Sequence, residues 1–129
     1  MGVYGESAVR AVELIRTGEC PDPPAAWERA AGEICCSPIT AAKNCPRCAF
    51  LGLCEEGLVE GVPAGNYTTS ILNKQYALDA VTFLRQVQES GTGEPVPSPA
   101  DLWREVGPDI AHSGQMDVVV ALWKEGYIK

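Results

Sequence analysis

Apolar residues recur along this chain at helical rather than strand spacing. Ala8, Ala11, Val12 and Ile15 fall at i, i+3, i+4 and i+7, and the same ladder returns at Ala77, Ala80, Val81 and Leu84. Each set lines one face of a helix and predicts an amphipathic element that buries that face. Both ladders run into breakers, "TGECPDPP" after the first and "ESGTGEPVPSP" after the second, where glycine and clustered prolines cannot extend a helix. A second helix is predicted from Pro23-Pro24 or Ser98-Pro99 onward, because proline suits a first helical turn, and it carries Trp27 or Trp103 toward the core. A third ends at Gly57 or Gly126, the natural left-handed stop. The run "DVVVALW", Asp117 to Trp123, has strand-like β-branched content. Met116, Val119, Val120, Trp123 and Tyr127 nevertheless keep helical intervals, which decides for helix.

The two ladders belong to a longer internal match. At an offset of 69, "AVRAVELIR" from Ala8 meets "ALDAVTFLR" from Ala77, and "AFLGLCEEGLV" from Ala49 meets "VVVALWKEGYI" from Val118. Between them, at an offset of 76, "WERAAGEI" from Trp27 meets "WREVGPDI" from Trp103. Three blocks in one order predict two copies of a unit of about 57 residues, spanning 4–60 and 73–129. The linker, 61–72, holds the turn formers Pro63, Gly65 and Asn66 and is short enough to favour packed units over separate beads. The predicted fold is all-α, two tandem three-helix units with helix-turn-helix-like connectivity packed as one globular domain.

Composition narrows the function classes. With 129 residues and 46% hydrophobic content, a single compact core needs neither metal nor disulfide staples. A formal charge of -7 repels phosphates, which argues against nucleic-acid and anionic-membrane partners. No window approaches a membrane span, and "MGVYGESAVR" lacks the apolar stretch of a secretory signal, so cytoplasmic residence is expected. In a reducing cytosol the six cysteines are expected as thiols or ligands rather than disulfides.

"KNCPRCAFLGLCEEG" sets Cys45 and Cys48 in a CxxC frame before an apolar run. Three readings compete. At offset 69 Cys45, Cys48 and Cys54 face Gly114, Asp117 and Trp123, so the later copy would build the same helix without sulfur and the thiols would be ordinary small side chains. A zinc site could draw on Cys36, Cys45, Cys48 and Cys54, with Cys35 as another donor, but a second CxxC or a spaced His pair is missing. Thiol redox chemistry would use the helix start and the neighbouring Lys43 and Arg47 to favour thiolate.

"CPRCAFLGLCEEGLVEGVPAGNYT" followed by "NKQYAL" resembles a small family of uncharacterised bacterial proteins marked by the string CPRxAFLGLCEEGLVxGxPxGNYT. The resemblance covers roughly Tyr4 to Arg85 and implies bacterial origin, with no activity and no residue roles attached. It also implies that Cys48 is not a fixed member of the pattern, which weighs against a CxxC function.

No nucleophile elbow, phosphate-cradling loop or HExxH is present, so no catalytic residue and no cofactor is predicted. Glu55-Glu56 reads as a solvated helix end, and His112 as a satisfied side chain rather than a general base. The expected role is a non-catalytic binding or adaptor module engaging a protein partner, with Arg47, Gly65, Asn66 and Tyr67 as the first contact candidates. A cysteine-dependent zinc or redox protein centred on Cys45 and Cys48 is the alternative. A helix-turn-helix-type DNA reader is the further one, although its recognition helix would open on Gln115, Met116 and Asp117, a poor set for base edges.

Overall fold

The computed structural model describes residues 2–35, 37–68, 71–91, 96–107 and 114–128. Among these, the elements are all helical: α1 (Val3–Thr17), α2 (Pro23–Ile34), the single turn α3 (Pro38–Ala41), α4 (Asn44–Glu55), α5 (Ile71–Glu89), α6 (Pro99–Val106) and α7 (Gln115–Lys124). None of these helices is long and apolar enough to cross a membrane. The boundaries follow local chemistry. Three starts place proline in the first turn behind a side-chain cap: Asp22 accepts from the Ala25 N–H, Ser37 from Thr40 and Ser98 from Asp101. Both α4 and α7 close on a left-handed glycine, Gly57 at φ 72° and Gly126 at φ 78°. The bonds that follow also correspond. Leu58 N–H donates to Leu53 O at 3.1 Å, and Tyr127 N–H donates to Leu122 O at 2.9 Å, the six-residue closure of a Schellman cap.

The ladders seen in the sequence point inward. Ala8, Ala11, Val12 and Ile15 on α1 and Ala77, Ala80, Val81 and Leu84 on α5 are all buried. So are Val59 and Ile128, which stand at equivalent places just beyond the two glycine stops. The Val-rich segment 117–123 is helical and lies within α7. The α5 helix begins at Ile71, two residues before the point where the second unit was drawn.

What periodicity does not reveal is which helix covers which. The α1 helix packs on α2 and on α7, while α5 packs chiefly on α4, and α4 meets α7 at the centre. The first helix of each matched segment therefore lies against the third helix of the other. The exits are tied as well, Glu60 N–H donating to Tyr127 O at 2.9 Å.

The matched tryptophans take different neighbours. Trp27 is fully buried with its ring centroid 5.3 Å from Phe50 of α4, whereas Trp103 meets Tyr76 of α5 edge-on at 5.2 Å. Among the described residues the Trp27 Nε1–H has no hydrogen-bond partner, a cost of about 1–3 kcal/mol that the packed indole must outweigh. Between α7 and α5, the buried amide of Gln115 donates to Asn73 Oδ1 at 3.0 Å.

Because α1 and α5 each lean on the other segment, neither half holds a complete core. Fragments 1–60 and 73–129 expressed separately are expected to lack a cooperative thermal transition by far-UV circular dichroism, while the whole chain melts in one step. A cooperative melt in either fragment alone would contradict this packing.

Candidate functional site

The longest distinctive string of the chain folds back on itself around the end of α4. Glu55 there is only 14% exposed. Its Oε1 accepts the Tyr67 N–H at 2.9 Å and the Thr68 N–H at 3.3 Å, and its Oε2 accepts from Lys74 Nζ at the start of α5. Lys74 also reaches Glu56 Oε1 at 2.8 Å. This corrects the reading of Glu55-Glu56 as a solvated pair: Glu56 is half exposed, but Glu55 is enclosed and fully engaged. The Lys74 ammonium, with help from the two loop N–H groups, holds the Glu55 carboxyl below the ordinary carboxylate range, and Glu55 and Glu56 raise Lys74 in turn.

Close approach of α5 to α4 makes this pairing reachable. A Cβ at Gly52 would stand 2.7 Å from Lys74 Cβ and 2.9 Å from Lys74 Cα, so only glycine lets the two backbones meet here. The loop beyond Gly57 is equally committed. Tyr67 lays its ring over Gly65 and donates its hydroxyl to Pro63 O at 2.9 Å, while Gly65 N–H donates to Glu55 O at 3.2 Å. Arg16 spans Gly61 and stacks 5.4 Å from the Tyr127 ring centre.

The contact candidates named from the sequence are divided between two places. Gly65, Asn66 and Tyr67 sit on this loop beside the end of α4, the first two exposed and Tyr67 half-buried. Arg47 sits in the first turns of α4, eight residues and therefore roughly 12 Å along the helix from Glu55. There it lines a groove of about 530 Å³ with Glu28, Pro38, Ala41, Ala42 and Asn44. A second groove of about 390 Å³, sharing Pro38 and Ala41 with the first, is lined by Gly32, Cys35, Ser37, Pro38 and Ala41. The α3 turn thus borders both grooves, and it presents Ile39 at 83% exposure. Sequence reasoning passed over α3 because a four-residue helix has no periodicity; the Ser37-Pro38 cap was its only signal.

The thiols are dispersed in character. Cys45 is half-buried at the start of α4. Cys48 is buried one turn on, its Sγ–H donating to Asn44 Oδ1 at 3.4 Å. Cys54 is enclosed in the core, and burial pushes its thiol pKa far up, away from thiolate chemistry. Cys20 and Cys35 are half-buried. Among the described residues no three His, Cys, Asp or Glu side chains converge as a metal cluster. Cys36 and His112 lie outside the described residues.

The chain belongs to a family of unknown function, DUF6979, whose pattern matches it over residues 1–129. No curated protein and no solved structure matches the chain.

Two measurements test the α4–α5 junction. Gly52→Ala should lower the unfolding free energy by about 1–3 kcal/mol because its methyl meets the Lys74 backbone. Gly32→Ala, also helical but with nothing within 4 Å of its Cβ, should raise it by about 0.5–1 kcal/mol. Urea denaturation reads both, and equal effects would contradict the close crossing. The second concerns pH. A carboxyl whose folded-state pKa is depressed stabilises the fold above its unfolded value, about 4.3, and loses that contribution as pH falls through the folded value. The stability advantage of the native protein over Glu55→Gln should therefore be present at pH 7 and shrink in acid below that point. A gap that stays constant down to pH 2 would show that the carboxylate charge is irrelevant.

Proposed function

We propose that this protein is a non-catalytic binding module whose protein partner docks on α3 and the groove between α2 and the start of α4. The observation that carries the reading is Ile39. A large apolar side chain 83% exposed on a one-turn helix, whose Pro38 and Ala41 line two grooves, is the form of surface that a partner covers. Rigid helices hold this turn in place, α2 packing against both α3 and α4.

Several features favour binding over the chemical alternatives. Cys48 is buried and bonded to Asn44, and the Cys54 thiol is enclosed, which suits structural rather than reactive sulfur. Gln115 and Met116, which would open a DNA-recognition helix, are buried. Bacterial origin, implied by the family resemblance, and cytoplasmic residence form part of the same reading, the latter supported by five described cysteines standing as free thiols. So does an origin by duplication, with 4–60 and 73–129 as diverged copies around the 61–72 connection; the paired ladders and matching Schellman caps support it.

The test is capture from host lysate with the native protein and two variants as bait. A specific partner should be lost with Ile39→Asp and retained with Ile71→Asp, which alters another exposed isoleucine on α5. Retention by Ile39→Asp would overturn the docking face. Stoichiometric zinc, or thiol turnover that depends on Cys45 and Cys48, would overturn the non-catalytic reading.

A further inference from the structure

Two equal ladders pose a question of pairing. The buried faces of α1 and α5 match position for position, and both α4 and α7 offer apolar surface, so burial alone does not decide which first helix covers which third helix. Residues beside the ladders decide it. Against α4, α5 brings Lys74 onto Gly52, where a Cβ would stand 2.7 Å from Lys74 Cβ and 2.9 Å from its Cα, and Lys74 reaches Glu55 and Glu56. At the offset of 69, Lys74 matches the buried Gly5 of α1, while Gly52, Glu55 and Glu56 match Ala121, Lys124 and Glu125 at the end of the chain. Against α7, α1 brings the Tyr4 ring onto Gly114, where a Cβ would stand 2.6 Å from Tyr4 Cδ2. Tyr4 matches Asn73, and Gly114 matches Cys45. Each large side chain thus meets a glycine on the side it covers, and the matched position on the other third helix carries a Cβ.

We infer that these two fits select the pairing of helices, admitting α5 to α4 and α1 to α7 and excluding the reverse, in which each first helix would cover the third helix of its own segment. The inference rests on the duplication reading above, which supplies the matched positions. In the reverse pairing Lys74 would meet the Ala121 methyl, where the crossing leaves room only for hydrogen. Its ammonium would face Lys124 in place of Glu55, with Glu125 standing for Glu56. Tyr4 would meet the Cβ of Cys45. Overlap with the α5 backbone is not relieved by a change of rotamer, and an ammonium in place of a carboxylate turns attraction into repulsion. The device gives a chain with two near-equal halves one native arrangement.

Two steps on the full chain test this. First, Gly5→Lys should lower the thermal midpoint by about 5 °C or more, and adding Ala121→Gly should recover about half or more of the loss. No recovery would show that Gly5 and Ala121 are not the counterparts of Lys74 and Gly52, which overturns the matched register of the duplication and the inference with it. Second, the exchange Gly5→Lys, Lys74→Gly moves the large side chain from α5 to α1. Nuclear Overhauser contacts from the buried methyls of α1 to α7, present in the native protein, should then be replaced by contacts to α4. If the exchange unfolds the chain, adding Gly52→Ala and Ala121→Gly, which moves the glycine from α4 to α7, should restore a cooperative melt and the native α1–α7 contacts. An exchange variant that keeps α1 on α7, or an unfolded one that the added pair does not restore, would overturn the selection of pairing. With the recovery of the first step standing, that result would leave the duplication reading intact.

Discussion

Helices α4 and α7 are apolar around most of their circumference, and every other placement in the molecule answers to that constraint. From Cys48 to Cys54 each residue of α4 is buried, and α7 is buried at Gln115, Met116 and continuously from Val118 to Leu122. A helix of this kind cannot lie on a surface with one face in water. The two cover part of each other, and the remainder is covered by α5 on α4 and α1 on α7. Since α1 and α7 are the first and last helices among the described residues, their contact draws segments far apart in sequence into one core. The small residues Gly52 on α4 and Ala8 and Ala11 on α1 let neighbouring backbones come near enough for that cover to be dense.

The distinctive string at the end of α4 is explained by the same arrangement. Gly52 admits α5, Gly57 ends the helix, and Glu55 then fixes the returning chain by two N–H groups and the Lys74 ammonium. These residues secure the crossing of α4 and α5 and occupy their polar groups in doing so. Toward the opposite end of α4, Arg47 lines the groove beside α3, and Ile39 of α3 stands exposed.

The all-α fold was legible because its signals are local. Ladders at Ala8 to Ile15 and Ala77 to Leu84 name the buried faces, and Gly57 and Gly126 name the stops, each from a few adjacent residues. The exchange of covering helices was not legible, because a ladder states that a face is buried and leaves open what buries it. The Glu55–Lys74 pair escaped for a related reason: 19 residues and a turn of chain separate the partners, so no helical spacing rule connects them. Trp27 and Trp103 illustrate the limit from the other side, matching in sequence yet meeting aromatic rings on helices of different rank, α4 and α5. Of the contact candidates, Arg47 lies on the groove and Gly65, Asn66 and Tyr67 on the distant loop, a division visible only once α4 is laid out in space.

Native-state amide hydrogen exchange tests the central constraint most directly. If α4 and α7 form one core, their slowest amides should open with the same free energy, equal to that of global unfolding, and share one dependence on denaturant. Amides of α7 that open at a distinctly lower free energy than those of α4, with α1 remaining protected, would contradict it.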